Sequence, residues 1–338
     1  MTDTLTAPAP RSAESAAVYD PLWNGERIIP RRIVIETIFG CNAACGMCVI
    51  NHPTSRKKGI MPLDKFKHLI DRLAKYSASV EMLDLFGLGE PVIDPHLAER
   101  ISYVKASGFR NTAISTNAHL LSEERAVDLL KAGVDTVIFS IDGFSKEVHE
   151  AVRARTKYER VVKNCVNMIR LRDSRGYETR FVVRFVRQPS NEHEWDDYYR
   201  FWRGVISLDK RDLLIRYDVH NWSNQIDNTT TRADWRDPII EVAPCHHIFE
   251  KIVILANGAV ALCFEDILEA QFRFGNAFED DPIDIFNSAR FNKIRKLHTA
   301  GKRCNLNICS GCMVLCNEPR RVVVSDLASS QLLPMSSG

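Results

Sequence analysis

The 338-residue sequence predicts an α/β protein: a partial (β/α)6, TIM-like barrel followed by a small cysteine-rich domain. Three observations carry this. From about residue 33 to 220, short β-branched runs alternate with amphipathic stretches, the pattern of βα units on a parallel sheet. The notable turn and polar residues fall at the C-terminal ends of those runs, where a barrel gathers its chemistry on one face. The ten cysteines are unevenly spread, with three at 41, 45 and 48, one at 165 and six from 245 to 316.

In chain order, "RIVIETI" (32–38) reads as a strand running into the first cysteine loop. "LDKFKHLIDRLAKY" (63–76) has apolar residues at helical spacing, with Met61-Pro62 as its start signal. There follow strand "VEMLDLFG", helix "PHLAERISYVKAS", strand "NTAISTN" and helix "SEERAVDLLKAG", which Gly133 stops. Strand "TVIFSID", helix "YERVVKNCVNMIRLRD", strand "TRFVVRFV", helix "EHEWDDYYRFWRGV" and strand "LLIRYDV" complete the series. The polar, aperiodic segment 223–243 is read as a linker. The expected organisation is a mobile tail at 1–30, the barrel at 31–222, the linker, the cysteine-rich domain at 244–320 and a tail at 321–338.

Hydrophobic residues at 45% and charged residues at 26% are ordinary globular values. A net charge of +2 gives no bulk attraction for nucleic acid or an anionic membrane. No apolar run approaches the roughly 20 residues of a membrane-spanning helix. "MTDTLTAPAPRSAESAAVYD" lacks the basic-then-apolar order of a signal peptide. The expected location is the cytoplasm, where clustered cysteines are better read as metal ligands or reactive thiols than as disulfides.

"GCNAACGMCVINHP" (40–53) places Cys41, Cys45 and Cys48 within one loop. A structural zinc site or an ordinary ferredoxin cluster takes four ligands. Three thiols can hold three corners of a four-iron cluster and leave one iron open. A zinc site completed by His52 is the alternative on spacing alone.

The C-x3-C-x2-C spacing just after the first strand resembles the radical S-adenosylmethionine superfamily. "GLGEP", Gly87 to Pro91, looks like the GGEP motif of that family, and "STN" (Ser115 to Asn117) and "SIDG" (Ser140 to Gly143) resemble its later strand ends. The resemblance spans about residues 31–200. It implies a [4Fe-4S] cluster on Cys41, Cys45 and Cys48 whose open iron chelates S-adenosylmethionine. It implies cofactor contacts at Gly87, Gly89, Glu90, Pro91, Ser115, Asn117, Ser140 and Asp142. Met47 stands where the family usually has an aromatic residue near the adenine, and a thioether is flexible enough to serve. One-electron reduction from an external flavodoxin- or ferredoxin-type carrier would yield a 5′-deoxyadenosyl radical that takes a hydrogen atom from substrate.

Towards the C-terminus, Cys245-x17-Cys263 and Cys309-x2-Cys312 flank "ANGAVALC", a hairpin signal with Asn257-Gly258 at its turn. This resembles the SPASM/Twitch auxiliary domain in its one-cluster form and implies a second [4Fe-4S] cluster on Cys245, Cys263, Cys309 and Cys312. A zinc ribbon is the alternative by ligand softness. Cys165 reads as an inert core thiol. Cys304 is surplus to the ligand pattern and is the candidate hydrogen-atom donor.

Only 40 residues precede Cys41, too few for an added peptide-binding domain, so a small molecule is expected. Enzymes of this arrangement resemble those acting on sugars and aminocyclitols in antibiotic biosynthesis. The expected reaction is hydrogen abstraction from a carbinol carbon followed by epimerisation, with Cys304 returning the hydrogen. Dehydrogenation to a ketone with the auxiliary cluster as electron acceptor is the alternative, and radical modification of a peptide the second. Arg184, Asp218, His220, Asn221, Trp222 and Asp266 are the candidate substrate residues.

Overall fold

The computed structural model describes residues 23–226, 242–317 and 322–324. Six parallel strands, β1 (Arg32–Ile35), β2 (Met82–Asp84), β3 (Thr112–Thr116), β4 (Thr136–Ser140), β5 (Arg180–Arg187) and β6 (Leu213–Asp218), lie side by side in sequence order. A doubly wound sheet would reverse direction beside its first strand. The sequential order is that of one winding, as in a partial barrel.

The helices cover this sheet with stripes that the sequence spells out. In α1 (Leu63–Ala74), Phe66, Leu69, Ile70 and Leu73 are buried at helical spacing. The next helices are α2 (Leu97–Ala106) and α3 (Glu123–Lys131); in α3 the Ser122 side chain caps the start by accepting from the Arg125 amide. The short α4 (Lys146–Val152) was not anticipated, and it leads into α5 (Tyr158–Arg175), which ends on Gly176 at φ +69°. α6 (Trp195–Arg203) buries Trp195, Tyr198 and Trp202.

The cysteine-rich region is not a separate body. Its strand β7 (Lys251–Ile254) pairs in parallel with β1, matching Arg32 to Lys251 and Ile35 to Ile254. β8 (Val260–Ala261) returns antiparallel through the expected Asn257-Gly258 turn, where Gly258 takes φ +82°. β9 (Val322–Val324), within the expected C-terminal tail, pairs antiparallel with β6. Both open edges of the six-stranded sheet are therefore covered by later residues, which removes exposed ladder groups. α7 (Ala289–Thr299) packs Phe291, Ile294, Arg295 and His298 inward.

Residues 23–30, expected as part of a mobile tail, are packed here. The Trp23 ring lies 6.2 Å from Phe249 edge-on, and the Ile28 amide donates to Asn287 at 2.7 Å. Residues 1–22, most of the expected linker (227–241) and most of the expected C-terminal tail lie outside the described residues.

The run "RIVIETI" does not stay one strand. β1 stops at Ile35, and Ile38–Phe39 pairs instead with Gly59–Ile60 in a short ribbon framing the cysteine loop. The break is organised by Glu36, wholly buried and ion-paired with Arg56. Its carboxylate also accepts from the amides of Leu88 at 3.2 Å and Ala256 at 3.0 Å. One carboxylate thus ties β1, the "GLGEP" turn and the β7–β8 hairpin together, with charge and hydrogen bonds both met inside the protein.

Candidate active site

At the C-terminal ends of the strands lies a cavity of about 190 Å³ whose wall includes Cys41, Cys45 and Cys48. Burial pushes the Cys41 thiol up to about 12 and Cys48 up to about 11, and raises Cys45 as well. Metal-free, these groups stay protonated, so a cation that binds thiolates is what releases their protons. Among the described residues no three His, Cys, Asp or Glu side chains close on a single-ion site. The donor set itself, three thiols around a shared hollow, fits a sulfur-ligated cluster.

The expected cofactor residues gather here. Met47, Gly87, Gly89, Glu90, Ser115, Asn117 and Ser140 line the cavity, whereas Pro91 and Asp142 lie behind it. A Cβ on Gly89 would sit 2.1 Å from the Ile38 carbonyl oxygen, and one on Gly87 2.6 Å from Glu36 Cγ. Both glycines are dictated by the close approach of the turn to the first strand and its ribbon. The Glu90 carboxylate accepts from Thr116 Oγ1 at 2.6 Å, the Asn117 amide at 2.7 Å and the Val92 amide at 3.1 Å. It therefore clips "GLGEP" to "STN", although burial pushes its carboxyl up. Asn117 Nδ2 lies 3.7 Å from Cys41 Sγ and donates to Asn42 at 3.0 Å.

Arg153 was not foreseen from the sequence, where it is one arginine in the polar run "EAVRART" with no motif around it. Its guanidinium pairs with Asp142 at 2.6 Å, faces Cys45 Sγ at 3.8 Å and lines the cavity. Asp142 is thus the support of a cation at the cluster loop. Phe86, Tyr217 and Phe264 also enter the wall without a sequence signal.

Of the expected substrate residues, Arg184, His220 and Trp222 line the cavity. Arg184 donates to Ser115 at 2.9 Å and to Ser140. Asp218 is instead paired with Arg187 at 2.8 Å, and Asn221 donates to the Gly311 carbonyl at 2.9 Å. Asp266 accepts from the amides of Leu262, Gln271 and Phe272, clamping the loop after Cys263. Burial pushes its carboxyl up to about 6.

A strap after β6 joins this cavity to the second cysteine group. Trp222, Ser223 and Asn224 take φ of +47°, +52° and +65°, three successive left-handed residues that are not glycine. Trp222 and Ser223 each cost about 1–2 kcal/mol, while Asn224 is a residue type that tolerates this region. Asn224 offsets this by donating to the carbonyls of Asn307, at 3.3 Å, and Ser310. Ser223 Oγ reaches Cys312 Sγ at 3.5 Å. His220 Nδ1 lies 2.9 Å from the buried Glu265 carboxylate.

Cys245, Cys263, Cys309 and Cys312 are brought together. Burial raises Cys263, Cys309 and Cys312, and these three are raised further by one another or by Cys245. Glu265 adds to the effect at Cys263 and Cys312. His298 Nδ1 accepts from the Cys245 amide at 3.2 Å, while its Nε2 lies 3.5 Å from Cys309 Sγ. Four thiols with an imidazole and the Arg303 guanidinium near Cys309 fit an anionic sulfur-ligated cluster.

Cys304 is not brought to the cavity. It is exposed in the short helical turn Arg303–Asn305 and does not line the cavity. Cys165 is fully buried in α5, an apolar setting that raises its thiol well above its ordinary value. The side chain of Cys316 lies outside the described residues.

Comparison with known proteins agrees with this geometry. The model of the radical SAM superfamily matches residues 35–201, and that of an iron–sulfur cluster-binding domain, SPASM, matches residues 245–313. A tungsten-containing aldehyde ferredoxin oxidoreductase cofactor-modifying protein from Pyrococcus furiosus is 34% identical over 32% of this chain and 30% of its own length. An AdoMet-dependent heme synthase from Methanosarcina barkeri is 36% identical over 37% of this chain and 34% of its own. The chain thus spans about a third of the length of these two relatives. Among solved structures, BtrN in complex with AdoMet and 2-DOIA has a TM-score of 0.58 at 18% identity, covering 85% of this chain and 94% of BtrN. Streptococcus suis SuiB bound to its precursor peptide has a TM-score of 0.61 at 15% identity, covering 79% and 67%. No helix among the described residues is long and apolar enough to cross a membrane.

Proposed function

We propose, for a chain that belongs to the radical SAM superfamily and carries a C-terminal iron–sulfur cluster-binding domain, that it oxidises a carbinol carbon of a sugar or aminocyclitol to the ketone. When bound, the first cluster with S-adenosylmethionine supplies a radical that removes a hydrogen atom, and the auxiliary cluster supplies a one-electron acceptor. The protein's own residues hold and orient the reacting groups. Cys41, Cys45 and Cys48 hold the first cluster, and Arg153 presents a cation beside Cys45. Arg184 and Ser115 offer donors for substrate hydroxyls along one wall.

The observation that carries the reading is the His220–Glu265 pair. His220 lines the cavity, and its partner Glu265 lies in the loop of Cys263, near enough to raise both Cys263 and Cys312. Loss of a proton from the carbinol hydroxyl to His220, oriented by Glu265, sets proton release beside the electron-accepting group. Epimerisation needs a thiol on the far face of the substrate, and the exposed position of Cys304 does not favour it.

Anaerobic turnover with S-adenosylmethionine, a strong reductant and a panel of aminocyclitols in deuterated water tests the reading. Dehydrogenation gives a product two mass units lighter. A product carrying one deuterium at an inverted carbon would replace it with epimerisation.

A further inference from the structure

We infer that the exposed basic face of α7 is the docking surface for an acidic one-electron carrier protein that exchanges electrons with the auxiliary cluster. The inference rests on that cluster and not on the carbinol chemistry proposed above. Lys293 and Lys296 stand one turn apart on the outward side of α7, and Lys302 follows just beyond its end, all three exposed. Their backbones are engaged, the Lys302 amide donating to the Leu297 carbonyl at 2.8 Å and the Lys296 carbonyl accepting from Thr299, but among the described residues none of the three ammonium groups forms a salt bridge or hydrogen bond. Two acids ahead of the helix are already engaged, Asp281 with Lys75 at 3.0 Å and Asp284 with Arg27 at 2.7 Å, whereas Glu279 and Asp280 are exposed with no salt bridge among the described residues. The whole chain carries only +2, so this positive face is local.

Beside the lysines lies a hollow of about 330 Å³ walled by Trp23, Gly25, Ala289, Asn292, Lys293 and Lys296. It offers a concave, partly apolar seat with two cations on one wall. The inward side of the same helix carries His298, which touches the Cys245 amide and Cys309 Sγ. Only Leu297 thus stands along α7 between a solvent-facing lysine and the imidazole that contacts two auxiliary ligands. His298 is fully buried on the side of α7 opposite the lysines, so a carrier seated on this face is separated from the auxiliary ligands by the width of this one helix. Small, charged, salt-sensitive contacts are the usual form of redox encounters. The step is a transfer of one electron: the carrier is oxidised by one, the cluster reduced by one, and no bond forms or breaks.

The test uses the reconstituted holoenzyme and a bacterial flavodoxin in its hydroquinone state. Stopped-flow bleaching gives the second-order rate, and freeze-quench EPR identifies the auxiliary signal as the one that S-adenosylmethionine does not perturb. The wild-type rate should fall by about tenfold or more between low and high salt. Lys293→Glu/Lys296→Glu should be slower by about tenfold at low salt and lose most of that salt dependence. Its iron content, dithionite reduction and dithionite-driven cleavage of S-adenosylmethionine should match wild type, which separates a docking defect from loss of the clusters. A double variant reduced by flavodoxin at the wild-type rate would overturn the inference. So would a wild-type rate indifferent to salt, or a gain in rate on removing residues 1–22 that the double variant does not share, which would give the hollow to the chain's own N-terminal segment.

Discussion

The Trp222 indole N–H donates to the backbone carbonyl of Met47 across 2.8 Å, so the strap after β6 is tied directly to the loop that carries Cys45 and Cys48. The same indole stacks on Phe264, the residue after Cys263, with ring centres 6.1 Å apart. One side chain thus touches the neighbours of both cysteine groups, and it does so from a left-handed backbone position held by contacts on either side.

Trp222→Phe keeps the stack and removes the donor. A hydrogen bond of this kind contributes about 0.5–1.5 kcal/mol, so binding of S-adenosylmethionine should weaken by about three- to tenfold. Trp222→Ala should weaken it further by freeing the Met47 loop. Anaerobic equilibrium dialysis of the reconstituted protein measures both, and unchanged affinity in Trp222→Ala would remove the strap from cofactor binding.

Gly89→Ala places a methyl group 2.1 Å from the Ile38 carbonyl, where backbone on both sides blocks relief. A loss of about 3 kcal/mol or more is expected from such overpacking. Gly46→Ala, with nothing within 4 Å of the new carbon, should stay within about 0.5 kcal/mol. Urea denaturation of the metal-free variants compares them. Equal midpoints would refute the close approach.

Glu265→Gln keeps shape but takes away the charge that orients His220. Hydrogen abstraction does not need that charge, so 5′-deoxyadenosine should still form while product per 5′-deoxyadenosine falls by about tenfold or more. His220→Gln should show the same uncoupling. If either variant retains wild-type coupling in a chromatographic assay of both products, the pair is structural.

His149 is fully buried beside Thr156, and burial first, then the Arg153 cation, holds it down to about 3 against an ordinary 6.5. Between those values the unfolded chain binds the proton and the folded one does not, so stability rises with pH across the window and is lost as pH falls below 6.5. From pH 6.5 to 5 the loss is about 2 kcal/mol. His149→Gln, which cannot take the proton, should flatten that slope by about one proton in urea titrations at several pH values. A slope unchanged from wild type would place the acid sensitivity elsewhere.

How much of this was legible beforehand varied by kind of residue. The βα series is written in apolar spacing, which local geometry enforces; Phe66, Leu69, Ile70 and Leu73 announce α1 on their own. "GLGEP" and "STN" were found as motifs, but Glu90 joining the two strand ends is a contact across 26 residues or more. Arg153 left no trace, because a buried arginine is written like an exposed one until its carboxylate partner is placed beside it. Asp218, Asn221 and Asp266 were read as substrate groups because polar residues near strand ends are common to sites and to clamps. Their partners, Arg187, Gly311 and the amides after Leu262, are set by folding.

The sequence by itself determined the donor set of the first site. Three thiols on one loop lack a fourth ligand whatever the fold around them, and the order of strands and helices admits few windings. The tertiary structure decided where everything else faces. It joined the C-terminal hairpin to β1 and drew His220 to Glu265. It also left Cys304 on the surface rather than at the cavity. These outcomes depend on pairings between residues tens to hundreds of positions apart, whose energies arise only when burial removes water from both partners.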